Sequence, residues 1–141
     1  MNKTSKIVVV AALIAAVAVA IVVRQNKPDN EQMPEQYKPE QLLGKGLPAM
    51  VDLGSDQCIP CKMMAPILEE LKTKFVGKLQ VNFLDVRKFP ALAEIYGIKV
   101  IPTQVFYGAS GKELFRHEGF YAKEDILAKW KEFGVELTET K

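Results

Sequence analysis

Gln57-Cys58-Ile59-Pro60-Cys61-Lys62-Met63-Met64-Ala65-Pro66 is the stretch on which the reading of this chain turns, and it holds both cysteines of the sequence. Just upstream, Ala49-Met50-Val51-Asp52-Leu53 is a short apolar run broken by one acid, the pattern of a buried strand. Downstream, Met64, Ile67, Leu68, Leu71 and Phe75 recur at helical spacing, with Lys62, Glu69, Glu70, Lys72 and Lys74 mostly facing away. The cysteine pair therefore sits where a strand and its loop feed the start of a helix. Unpaired backbone N–H groups and the positive end of the helix dipole favour a thiolate there. Pro60 suits the first turn, where its missing N–H costs little, and Pro66 should kink the helix interior. Two intervening residues on one turn bring both sulfurs within bonding distance. Cys58 is expected to be the more exposed, attacking thiol. Cys61, one turn in, should be shielded and resolve a mixed disulfide.

Other uses of such a pair are half a zinc site shared across a dimer, a Cu(I) site of two thiolates, or a structural disulfide. Thiolate zinc sites usually bring a second cysteine or histidine pair, whereas this chain has two cysteines and one histidine, His117. A disulfide closing a four-residue loop would stabilise very little. Two cysteines are also too few for a disulfide-stapled scaffold.

Working outward, Leu79 to Val86 reads as a second strand, and a short helix from Pro90 to Tyr96 ends at Gly97. Thr103 to Tyr107, the turn Gly108-Ala109-Ser110-Gly111, and Glu113 to Glu118 form a β-hairpin. The last helix runs from Lys123 to Phe133, with Glu124 and Asp125 suiting its N-terminal dipole. Ile126, Leu127, Trp130 and Phe133 make its buried face, and Gly134 stops it. The order β-α-β-α-β-β-α is that of an α/β domain, a mixed sheet with helices on both faces. Within it, His117 reads as a surface or half-buried side chain, Met63-Met64 as a core-facing pair, Asp85 as bordering the next helix, and Trp130 as core.

The first 26 residues contain Lys3, Lys6 and Arg24 but no acid, and Ile7 to Val23 is an unbroken apolar run. As a helix that run spans roughly 25 Å, the short end of a membrane crossing, with basic flanks that snorkel to headgroups. The competing reading is a cleaved signal peptide, since Ala16-Val17-Ala18 and Ala18-Val19-Ala20 offer small-x-small sites. Against cleavage, Ile21, Val22 and Val23 follow the last candidate site. Either reading exports the rest of the chain; Lys3 and Lys6 mildly favour a cytoplasmic N-terminus. Residues 1–23 are thus read as an anchor or signal, 24–46 as a flexible Pro- and Glu-dotted linker, 47–134 as the compact domain, and 135–141 as a tail. A domain of this size holds a single core and excludes a two-domain enzyme. From Leu47 onward Lys+Arg and Asp+Glu are equal at 13 each, and a neutral domain without a basic stripe argues against nucleic acid as a partner.

Read together, Val51-Asp52-Leu53, Cys58-Ile59-Pro60-Cys61 with its run to Pro66, Tyr96-Gly97-Ile98-Lys99-Val100-Ile101-Pro102-Thr103 and the late Gly119 resemble the thioredoxin family, over about Leu47 to Phe133. The resemblance implies a thioredoxin fold, with Pro102 cis and its loop packed beside the cysteines. It implies that the backbone of Ile101-Pro102 recognises an extended substrate segment, with Ile59 and Pro60 beside it, and that Asp52 lies buried behind Cys61. A buried carboxylate has its pKa raised by desolvation, which suits exchange of the Cys61 proton near neutral pH.

Three departures bear on redox potential and partner choice. The aromatic and the glycine flanking the family's cysteine pair are absent, Gln57 and Ile59 standing there. Phe83 matches the position where members place a lysine near the buried acid. The strand runs into Gly54-Ser55-Asp56 instead of an aromatic-alanine step. The resulting expectation is a monomeric, membrane-tethered thiol–disulfide oxidoreductase that needs no cofactor beyond its Cys58–Cys61 disulfide. It would act on exported protein substrates, favouring the reductant direction and recharged by a membrane electron donor. Two alternatives stand beside it: a soluble exported form, and a non-enzymatic Cu(I) metallochaperone or assembly factor of the same fold.

Overall fold

A computed structural model describes residues 12–19 and 33–138, and the chain divides between residues 32 and 33. In the first part, residues 12–19 form helix α1. The rest of the Ile7–Val23 run lies outside the described residues. No helix among the described residues is long and apolar enough to cross a membrane.

The second part opens with a 3-10 turn at Glu35–Tyr37 and helix α2 at Pro39–Leu42. Strand β1 (Ala49–Gly54), helix α3 (Ile59–Lys74), strand β2 (Gln80–Asp85) and helix α4 (Ala91–Ile95) follow. The hairpin β3 (Thr103–Tyr107) and β4 (Glu113–Glu118) leads into helix α5 (Lys123–Glu132). The strands lie in the order β2-β1-β3-β4. β1 is parallel to β2 and antiparallel to β3, which is antiparallel to β4. This is the mixed sheet expected from the element order.

Alternation along β1 divides the core in two. Met50, with Val81 and Phe106 beside it, faces Met64, Leu68 and Leu71 of α3 and Ile126 and Trp130 of α5. Ala49, Val51 and Leu53 face the opposite way, with Leu84, Val105, Tyr107 and Leu92 and Tyr96 from α4. Every residue of β1 is buried, so the strand reads as a continuous run instead of an alternating one.

The structure corrects two expectations. The stretch assigned to a flexible linker through residue 46 is in part folded. Met33, Tyr37, Leu42 and Leu43 pack on the α4-side core, the Tyr37 and Phe89 rings lie 5.4 Å apart, and the Tyr96 hydroxyl donates to the Tyr37 carbonyl at 3.2 Å. The compact domain therefore begins at Met33, not Leu47. Pro39 opens α2 instead of breaking it, and four scattered apolar residues carry no period that would reveal one shared surface. The second correction is Met63, which is half exposed while Met64 is fully buried. A step of one residue turns about 100° around a helix, and here that step carries Met63 away from the core that Met64 enters. The Met64 sulfur accepts the Tyr121 N–H at 3.3 Å, fastening the segment before α5 onto α3.

Candidate active site

β1 delivers the chain into the turn Ser55-Asp56-Gln57, and buried Ser55 organises it. Its hydroxyl accepts the Gln57 N–H at 3.2 Å and its carbonyl accepts the Cys58 N–H at 3.3 Å. Cys58 is the N-cap of α3, in extended backbone (φ −93°, ψ 124°), and its sulfur accepts the Cys61 N–H at 3.3 Å. That N–H is one of the orphan donors of the first turn, aimed where a thiolate would carry its charge. Cys58 and Cys61 are joined by a disulfide across Cα atoms 5.2 Å apart. Cys58 is half-buried, whereas Cys61 is only 3% exposed. Ile59 and Pro60, in the first turn, stand out to solvent.

Cys61 rests against the end of β1. A Cβ at Gly54 would lie 3.2 Å from the Cys61 sulfur and 3.0 Å from the Phe83 ring, so any larger residue would press on both side chains. Asp52 is the next residue back on the same face of β1. It is fully buried, paired in register with Phe83 on β2 and Gln104 on β3. Gln104 Nε2 donates to Asp52 Oδ1 at 2.7 Å, while Oδ2 has no partner among the described residues. Burial pushes the Asp52 carboxyl up from 3.8 to about 6, against the opposing pull of the Gln104 hydrogen bond.

The loop before β3 reaches the same end of the sheet, because Thr103 pairs with Leu53 and places Pro102 beside the end of β1. The Ile101–Pro102 bond is cis, as the resemblance implies. Buried Pro102 offers its carbonyl to the Gly119 N–H at 2.8 Å, and the Thr103 hydroxyl donates to the Val100 carbonyl at 2.6 Å. Among the described residues the Ile101 N–H and C=O hold no hydrogen bond.

His117, on β4, stacks on Tyr121 with ring centroids 4.0 Å apart and is half-buried. Asp85 borders the next helix as expected, its Oδ1 accepting the Arg87 and Lys88 N–H groups at 2.8 and 3.0 Å. No group of three or more His, Cys, Asp or Glu suited to a metal occurs among the described residues. Sequence reasoning missed Gln104. The available signal was an amide within a strand whose other four residues are all suited to burial.

The family model described as Thioredoxin matches residues 30–132. The chain is 35% identical over 94 residues to a thioredoxin-like protein of Synechocystis sp., spanning 67% of this chain and 89% of that protein. It is 32% identical over 98 residues to a thioredoxin of Rickettsia conorii (70% and 91%) and 38% identical over 77 residues to one of Staphylococcus aureus (55% and 73%). The chain belongs to the thioredoxin family. It is a thiol–disulfide oxidoreductase whose redox centre is the Cys58–Cys61 pair, a chemistry that requires no cofactor.

Proposed function

We propose that this chain reduces disulfides in exported proteins from a position tethered to a membrane by the Ile7–Val23 segment. The asymmetry of the cysteine pair carries the mechanistic part. Cys58 is partly exposed at the α3 N-cap, whereas Cys61 is buried against Gly54, one pleat from Asp52. The Cys58 thiolate attacks one sulfur of the substrate disulfide, forming a mixed disulfide and releasing the other sulfur as a thiolate that water protonates. The Cys61 thiol then passes its proton to the Asp52 carboxylate. Its sulfur attacks Cys58, closing the Cys58–Cys61 bond and releasing the second substrate thiolate. Two electrons move to the substrate, and a dithiol donor at the membrane returns the protein to its reduced form.

The substrate approaches as an extended segment. The unpaired Ile101 backbone groups support pairing with such a segment at the Ile101-Pro102 loop. Exposed Ile59 and Pro60 then supply the apolar contact beside the reactive sulfur.

Support for the tether is the uncharged Ile7–Val23 run with basic residues on both sides. Support for the reductant direction comes from the relatives named thioredoxin. The deciding measurement is the equilibrium reduction potential of the pair against a dithiol buffer. A value near roughly −270 mV is expected, and one near roughly −120 mV would make the protein an oxidant.

A further inference from the structure

A groove of about 470 Å³ runs between α3 and the outer edge of β2, lined by Cys61, Ala65, Leu68, Val81 and Phe83. β2 is the edge strand of the sheet, so this flank is exposed to water. Yet Cys61 is only 3% exposed and Asp52 not at all. Phe83 is the side chain placed to account for that. In the row of side chains crossing the sheet on the α3 face it is the register partner of Asp52, and no strand lies outside it among the described residues. Its ring and the Cys61 sulfur border one vacant point, the place where a Gly54 Cβ would stand, at 3.0 and 3.2 Å. Phe83 remains 42% exposed as a residue, while its ring reaches the Gly54 backbone at the edge of the interior.

We propose that Phe83 is a positioning residue for the exchange. Its ring, lodged where Gly54 leaves room, seals the α3–β2 groove from the space between Asp52 and Cys61, so that the Cys61 proton passes to Asp52 and not to bulk water. The proposal rests on the reading of Asp52 as the proton partner. Charged groups surround the site without touching the acid. Asp56 from the turn and Lys62, Glu69 and Lys72 from α3 line the groove. Asp85 and His117 stand on neighbouring strands, opposite Gly54 and Gln104 respectively. Burial and the Gln104 hydrogen bond are the two causes acting on the Asp52 carboxyl, so water admitted to this space acts on the dominant one.

The test compares wild type with Phe83→Ala and Phe83→Leu, following the Asp52 carboxyl by carbon-13 NMR titration of the oxidised protein. The pH profile of disulfide exchange is recorded alongside. Phe83→Ala should lower the Asp52 midpoint by about one pH unit, a tenfold loss of proton affinity, toward the ordinary carboxylate range. Phe83→Leu, which keeps an apolar cover, should restore most of the shift. Phe83→Gln, similar in bulk but hydrated, carries the same test if truncation unfolds the edge. An unmoved midpoint in Phe83→Ala, or a leucine variant indistinguishable from the alanine one, would overturn the proposal. Asp52→Asn run in parallel separates the two readings. If it leaves the exchange rate and pH profile unchanged, the proton-partner reading falls and the proposal with it. If Asp52→Asn is slow but the Phe83 variants do not move the midpoint, the sealing role alone is wrong.

Discussion

Replacing Asp52 with Asn exchanges a buried acid for a neutral amide of nearly the same shape, with an oxygen still able to accept from Gln104 Nε2. The folded-state carboxyl is raised from 3.8 to about 6, chiefly by burial. Two units at about 1.36 kcal/mol each amount to roughly 3 kcal/mol of destabilisation of the charged form. The folded wild type holds its proton more tightly than the unfolded chain, so its stability falls as pH rises from about 4 to about 6 and then levels off. Below pH 4 the acid is neutral in both states and the penalty is absent. Other groups titrate alike in both proteins and cancel in the difference. The stability advantage of Asp52→Asn over wild type should therefore grow by about 3 kcal/mol across that window and stay constant above it. Denaturant melts of the two proteins from pH 3 to pH 8 read this directly. Turnover should move the opposite way, dropping by about 10²-fold at neutral pH, the lower end for a lost general acid–base. The same variant should thus be more stable and slower. A stability difference that is flat with pH, together with unchanged turnover, would refute the reasoning and leave Asp52 a structural acid.

With Cys61→Ser, Cys58 should accumulate substrates as mixed disulfides, visible on non-reducing gels, whereas Cys58→Ser should trap almost nothing; equal trapping would reverse the division of labour. A fragment beginning at Met33 should fold with full activity in solution. One beginning at Leu47 should lose roughly 3 kcal/mol in denaturant melts, since it lacks four packed apolar side chains and leaves the Tyr96 hydroxyl without its partner. The complete chain should resist carbonate extraction from membranes, and a mature N-terminus near Ile21 by mass spectrometry would show instead that the apolar segment is removed.

The sequence alone determined the elements of the domain from β1 to α5 and the chemistry of its centre. The α3 apolar positions repeat with helical period, the hairpin carries its own turn residues, and Gly97 and Gly134 adopt positive φ just past α4 and α5. Cys58 at a helix start next to an apolar strand is likewise a local pattern, since both the dipole and the i to i+3 reach belong to one turn. Those signals are local because the forces behind them act within a few residues. The tertiary structure decided what meets across the sheet. Gln104 reaches Asp52 from 52 positions away, through the antiparallel register of β1 with β3, and no local propensity specifies that pairing. Residues 33–43 fold onto the α4 side because their few apolar groups converge on one surface, which composition cannot reveal. The placement of the Phe83 ring of β2 beside Cys61 of α3 depends on a third element, strand β1, where Gly54 leaves out the Cβ that would crowd both, because close packing is a property of all three dimensions.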